Sequence, residues 1–358
     1  MRIRAILLML ALAITIIQVS YELAYSSQEE AIIKKQIKTW EHLCSTYPID
    51  NSCHELLIVK ALTDDGQISK SIFLENAHRI AQDDNENLLI ADKDSNRIFV
   101  FDSKGSFIKY FGRKGSGPGD LIRPFNIQFI KNNVYVYDSG NSRISIFTKD
   151  GIFQKSTRIY TFYNDIAIAD DGTYFAVPLA TRSKDNILHK ISSDGYFIKS
   201  FGEFPTGIQN MPELWGRLAI NSIKREIYLA YSYLLKAQIY SFEGKLLKEV
   251  PIAFKAMESR EKENLRNING KTQEGPVWQV IDVIKATDNG FMVLKTYPRI
   301  EFKEYDYNGN IINCYWHFSN WDTPPAKDFI ITDIAGSKRK FIICYEGKYQ
   351  PIEVYEEK

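Results

Sequence analysis

The sequence is poor in the residues from which most catalytic centres are built. Five histidines are scattered through 358 residues, no Cys-x-x-Cys pair is present and no Gly-x-Ser-x-Gly occurs. A zinc site of ordinary spacing and a nucleophile elbow are thereby excluded. The Gly-rich stretch Gly115 to Gly119 has no Lys-Ser/Thr after it, and Pro118 removes an amide donor, so it reads as a turn and not as a phosphate loop. Charge of one sign is lacking too. With 45 Lys+Arg against 44 Asp+Glu and no block of like charges, neither nucleic acid nor an anionic membrane surface is an expected partner.

A long apolar run is also missing. Ala5 to Ile17 is a run of thirteen residues, apolar but for Thr15, against the roughly 20 that a spanning helix needs, and Gln18, Ser20 and Glu22 interrupt it at once. Preceded by Arg2 and Arg4 and followed by Ala24-Tyr25-Ser26, the run has the form of a secretory signal. Residues 1–26 are expected to be a signal peptide, or a retained signal anchor, and the protein to be periplasmic or extracellular. A membrane enters only if that segment is retained. Of the four cysteines, Cys44 and Cys53 lie either side of Pro48 and Asp50 and could close a local disulfide in an oxidising compartment, the alternative being free buried thiols. Cys314 and Cys344 fall on different repeats and read as core residues.

Aromatic residues, by contrast, are plentiful (21 Tyr, 21 Phe, 5 Trp) and sit inside short alternating runs, as they do where pleated strands pack face to face. Residues 27–54 are expected to hold a short amphipathic helix at Glu29 to Leu43 and a linker. From residue 55 to 358 the period is that of strands. Inner runs begin at Arg79, Asn126, Asp165, Arg217, Asp282 and Asp328, each followed by a second and a third run. In five repeats the third run leads into a tight turn ending at Gly105, Gly151, Gly195, Gly244 or Gly309. Those glycines are 46, 44, 49 and 65 residues apart, the ~40 to 50 of a propeller blade once an insert in the longest is set aside. The sixth repeat has no fourth run after Ile352 to Glu356, and the region Glu55 to Leu74 is expected to supply it. The fold class is therefore all-β, a six-bladed β-propeller whose last blade is closed by an N-terminal strand. Arg113 to Pro124 and Glu203 to Trp215 occupy the same slot between blades and are related linkers. Phe254 to Trp278 reads as a short exposed helix in a long loop, and Asp83 to Glu86 as a hairpin turn.

Two stretches, DKDSNRIFVFDSKG from Asp92 and DSGNSRISIFTKDG from Asp138, resemble the NHL repeat, and FGRKGSGPGDLIRPFNI from Phe111 is similar to the linker of that family. The likeness is sharp over Ile80 to Phe153 and fades afterwards. The whole chain is similar to exported bacterial six-bladed propellers. This resemblance implies the propeller fold and little about function. Some members of the wider NHL group are lyases that hold zinc through histidines projecting into the central channel. Here His78 alone stands at such a position, beside Phe125, Asn164, Gly216, Ile281 and Lys327 at the equivalent places.

Propeller geometry makes the first residues of the inner runs converge. The expected site is thus a ring of Arg79, Asn126, Asp165, Arg217, Asp282 and Asp328 at the channel mouth. Two guanidinium groups favour a carboxylate, and three carboxylates accept from hydroxyls, so the ring suits a small acidic, hydroxylated ligand. The reading is a non-enzymatic binding scaffold for a protein or such a ligand, with no cofactor. The alternative is a metal-dependent hydrolase or lyase in which the mouth carboxylates hold Ca²⁺.

Overall fold

The computed structural model describes residues 53–61, 67–69, 72–179, 187–208, 216–269, 277–297, 299–317, 325–334, 338–345 and 352–358. The signal segment, the helix expected at Glu29 to Leu43 and Cys44 lie outside these residues. The chain enters as strand β1 (His54–Ala61) and a hairpin of β2 (Gln67–Ser69) and β3 (Ile72–Phe73). Six antiparallel blades follow. Blade one is β4 (Ala77–Gln82), β5 (Leu88–Asp92), β6 (Arg97–Phe101) and β7 (Phe107–Phe111). Blade two is β8 (Pro124–Ile130), β9 (Asn133–Asp138), β10 (Arg143–Thr148) and β11 (Phe153–Arg158). Blade three is β12 (Tyr163–Ile168), β13 (Tyr174–Pro178), β14 (Leu188–Ile191) and β15 (Phe197–Phe201). Blade four is β16 (Gly216–Asn221), β17 (Glu226–Tyr231), β18 (Lys236–Ser241) and β19 (Leu246–Pro251). Blade five is β20 (Val283–Thr287), β21 (Gly290–Lys295), β22 (Ile300–Asp306) and β23 (Ile311–His317). Blade six has β24 (Ala326–Ile334), β25 (Lys338–Tyr345) and β26 (Ile352–Glu357), and its fourth strand is β1.

The closure is as the missing fourth run requires, but β1 alone makes it. Leu56 pairs with Glu357 and Ala61 with Glu353 in an antiparallel ladder, while β2 and β3 pair only with each other. At its start β1 also runs parallel to β23, His54 opposite Tyr315 and Glu55 opposite Trp316, so blades five and six share one sheet. That register brings Cys53 beside Cys314, 4.7 Å away at Cα, and the two are disulfide-bonded. The local Cys44 to Cys53 bridge expected from spacing is therefore replaced by one across the seam. Sequence distance was the wrong guide, because closing the ring makes neighbours of residues 261 apart. Cys344 is a free buried thiol, as expected for a core residue.

The blades pack face to face through aromatic and branched side chains. Phe99 and Phe101 fill the first interface with Ile342 and Val354 of blade six, and Phe175, Tyr240 and Phe242 join blades three and four. The hairpin glycines do two things at once. Gly105, Gly151, Gly195, Gly244 and Gly309 have φ between 81° and 88°, which side chains avoid. Four of them also seat against the outer strand of the preceding blade, where a Cβ on Gly151 would meet Phe111, on Gly195 the Arg158 carbonyl at 2.1 Å, on Gly244 Phe201 and on Gly309 Val250. A lysine on the outer strand repeats the same link, since Lys109 donates to the carbonyl of Asp150, Lys199 to that of Glu243 and Lys248 to that of Asn308. Gly195→Ala is expected to cost at least about 2 kcal/mol in urea unfolding, because positive φ and a backbone clash add. A cost below 1 kcal/mol would show that the turn yields freely.

The repeated Asp, Asn and Arg of the first two blades fasten the linkers. Asp92 accepts from the backbone amides of Glu75 and Asn76 in the preceding segment and of Asp94 and Ser95 in its own turn. Asp138 accepts from Ile122 N at 2.7 Å, Asn141 and Arg143, and Arg143 reaches on to the carbonyls of Ser116, Gly117 and Asp120. Asn96 accepts from Arg123 N. These residues recur in sequence because each turns a loose inter-blade loop into a bonded one. In the long loop, helix α1 (Glu258–Asn269) is less exposed than its charge suggested. Buried Asn264 donates to the carbonyls of Tyr233 and Trp278 and accepts from Trp278 N, and Ile268 enters the core of blades three and four. Asp83 is the hairpin residue expected, its carboxylate taking the amides of Asn85 and Asn87.

Candidate functional site

In four blades a β-bulge interrupts the first ladder, between Ala77 and Arg79, Pro124 and Asn126, Tyr163 and Asp165, and Ala326 and Asp328. The extra residue re-aims the one after it, and Arg79, Asn126, Asp165 and Asp328 converge at the channel with Arg217. Asp282 does not join them in lining the cavity. Blade five has no bulge there, β20 begins only at Val283, and the Asp282 carboxylate turns back to Thr296 N and Oγ1, both at 2.6 Å, and to Gln279 Nε2 at 2.7 Å. Burial, only partly offset by these bonds, raises its pKa.

The ring is not a wet mouth. All of its members are buried, Arg79 at 4% exposed and Arg217 at 5%, and the layer before it is buried as well, with His78, Asn164, Ile281 and Lys327 at 8% or less. Exposure rises in the opposite direction, along the inner strands past Gln128, Ile220, Lys285 and Ala286. The ring is therefore the inner end of a cavity of about 230 Å³ that opens toward the far ends of those strands.

Most of the ring's polarity is spent on neighbouring blades. The channel-facing edge of an inner strand leaves backbone groups in need of partners. Asp165 takes Leu218 N on Oδ2, and Asp328 takes Ile80 N. Asn126 donates to the Ile166 carbonyl, Arg79 to that of Lys327, and Arg217 Nε to that of Asp282 at 3.1 Å. Asp165 is the hub, for its Oδ1 also receives Arg79 Nη2 at 3.0 Å, Asn126 Nδ2 at 2.9 Å and its neighbour Ile166 N. Burial alone would lower the Arg79 pKa, but Asp165 and Asp328 outweigh it and hold the guanidinium above its ordinary value.

Two polar lining residues were not read from the sequence. Lys285 pairs with Asp328 at 2.7 Å, and Gln128 bonds the backbone of Ile166 and Ile168. Gln128 lies two residues after Asn126, so the strand period could have found it. Lys285 lies three after Asp282, and only the late start of β20 places it in the channel.

One group is left over. Arg217 uses Nε on a carbonyl, and among the described residues its two Nη atoms have no hydrogen-bond partner. Burial and the charge of Arg79, only partly offset by Asp165, Asp282 and Asp328, push its pKa down to about 10, still well above neutral, so it is a buried cation facing the cavity with no carboxylate at ion-pair distance among the described residues. His78, neither hydrogen-bonded nor solvent-facing as a lone channel histidine would be, packs on Phe125 at 4.2 Å with both ring nitrogens unpartnered among the described residues. Burial first, then Arg79 and Arg217, holds it well below its ordinary pKa and hence neutral. Among the described residues no three His, Cys, Asp or Glu side chains group as a metal centre would.

Residues 67–289, more than half of the chain, match the family model DUF5128, described as a 6-bladed beta-propeller. The chain belongs to this family. No curated protein matches the sequence. Among solved structures, this DUF5128 propeller is similar to a candidate exported protein from Bacteroides fragilis NCTC 9343, at 15% identity and TM-score 0.52 over 87% of this chain and 97% of that one. It is also similar to a streptogramin B lyase, at 12% identity and TM-score 0.51 over 85% and 98% of the two chains. A third likeness is to a gluconolactonase from Xanthomonas campestris, at 11% identity and TM-score 0.51 over 84% and 88%. At such identities the likenesses show the DUF5128 chain's fold and leave its activity open.

Proposed function

We propose that this propeller is an exported binding protein that takes a small anion, a carboxylate above all, into its central cavity and does no chemistry on it. The observation that carries this reading is Arg217, a buried, charged side chain at the closed end of a cavity whose two Nη donors have no hydrogen-bond partner among the described residues. A cavity of about 230 Å³ is smaller than the roughly 300–1,000 Å³ that hold drug-sized molecules, so the ligand is of metabolite size. The alternative, a hydrolase or lyase built on channel carboxylates and Ca²⁺, has less support. Asp165 and Asp328 already have both oxygens engaged by amides and cations, and they would have to leave those bonds to act as ligands or bases.

Calorimetric titration of the purified protein with a panel of small carboxylates tests the reading. At least one is expected to bind, and Arg217→Gln, which keeps a donor for the Asp282 carbonyl, is expected to weaken it more than tenfold. Binding that persists unchanged in the variant would overturn the assignment.

Export has support from the seam. Structural disulfides are common in oxidising compartments and rare in reducing ones, and Cys53 to Cys314 is one. Among the described residues no helix is long and apolar enough to cross a membrane. N-terminal sequencing of the protein from its natural host is expected to begin near Ser27, in a soluble fraction. Recovery of Met1 from membranes would favour the anchor.

A further inference from the structure

Resting on that reading, we infer that the ligand is a short aliphatic monocarboxylate and not a polyhydroxy acid. The sequence suggested hydroxyls because it offered three carboxylates as acceptors, and the structure removes that reason. Asp282 faces Thr296, and the two lining carboxylates are filled, Asp165 by four donors and Asp328 by the amides of Ile80 and Phe329 and by Lys285. Gln128 spends its acceptor on Ile168 N. A sugar acid entering here would bring a row of hydroxyls past side chains with little left to receive them, and each hydroxyl left without a partner carries its desolvation cost.

The wall around Arg217 is of another kind. Blade four continues from it as Leu218, Ala219 and Ile220, and blade five faces these with Val283, Ile284 and Ala286. A carboxylate on the Arg217 Nη atoms therefore lays its remaining carbons against methyl and methylene groups, where each CH₂ removed from water favours binding. Lys285, the other cation of this flank, is held by Asp328, so the Arg217 Nη atoms are the cationic donors of the lining left without a hydrogen-bond partner among the described residues.

The test compares hexanoate, gluconate and inorganic phosphate by calorimetry on the purified protein. Hexanoate is expected to bind at least tenfold more tightly than gluconate, and phosphate to bind weakly or not at all. Ala286→Leu, on a partly exposed stretch of wall away from the charged ring, is expected to fold normally and to weaken hexanoate at least tenfold by filling its space. Gluconate or phosphate binding as tightly as hexanoate and lost in Arg217→Gln would overturn the ligand class while leaving the anion site standing. Equal hexanoate affinity in Ala286→Leu would overturn the placement of the tail. If none of the three binds, both this inference and the reading beneath it fall.

Discussion

A chain lacking residues up to Ala61 is expected not to melt as a cooperative propeller. Its sixth blade would keep three strands and expose the whole backbone edge of β26, from Glu353 to Glu357. It would also lose the only described strand that joins blade five to blade six. The disulfide adds to this seam. In the chain-entropy account a loop of 261 residues gives up to about 5 kcal/mol, so the pair Cys53→Ser and Cys314→Ser is expected to destabilise by several kcal/mol in guanidinium unfolding. Reductant should bring the natural protein to the same midpoint. A truncated chain melting like the natural one, or a double variant within 1 kcal/mol of it, would remove the seam from the account of stability.

The second large effect belongs to Asp165. Asp165→Ala leaves Arg79 buried with no carboxylate at hydrogen-bond distance and leaves Leu218 N without its acceptor. Removing one partner of a buried pair costs roughly 3–5 kcal/mol, because the remaining charge has lost its counterpart and cannot regain water. Urea unfolding of the variant checks this, and a loss under 1 kcal/mol would mean that water reaches the ring freely. The same logic separates the two arginines. Arg79 is a structural partner of Asp165 and its removal is expected to harm the fold, whereas Arg217 has no carboxylate to orphan.

The blade count, the hairpin glycines and the need for a closing strand were all legible in the sequence. They rest on local signals, a period of two, turn residues that supply positive φ, and a repeat left one strand short. The ring was legible as a set of positions but not as a set of roles. That Arg79 would be tied and Arg217 left over depends on which neighbouring backbone edge each side chain caps, and no local pattern carries that. Asp282 was misplaced because its carboxylate is captured by Thr296 and Gln279, partners that the strand period does not reveal. The depth of the ring was missed because the layer that buries it includes His78 and Lys327, polar residues whose burial depends on how the blades are drawn together. Cys314 is buried, as expected of a core residue, but its disulfide was not legible because its partner is distant in sequence and adjacent only once the ring has closed.

That closure also orders events in time. The strand that shuts the ring is made before any complete blade, and Leu56 finds Glu357 only when all the intervening blades exist. An emerging chain thus carries β1 without its antiparallel partner until β26, the last strand, is made. The ring therefore acquires its rigidity in one late step, once its last strand is made.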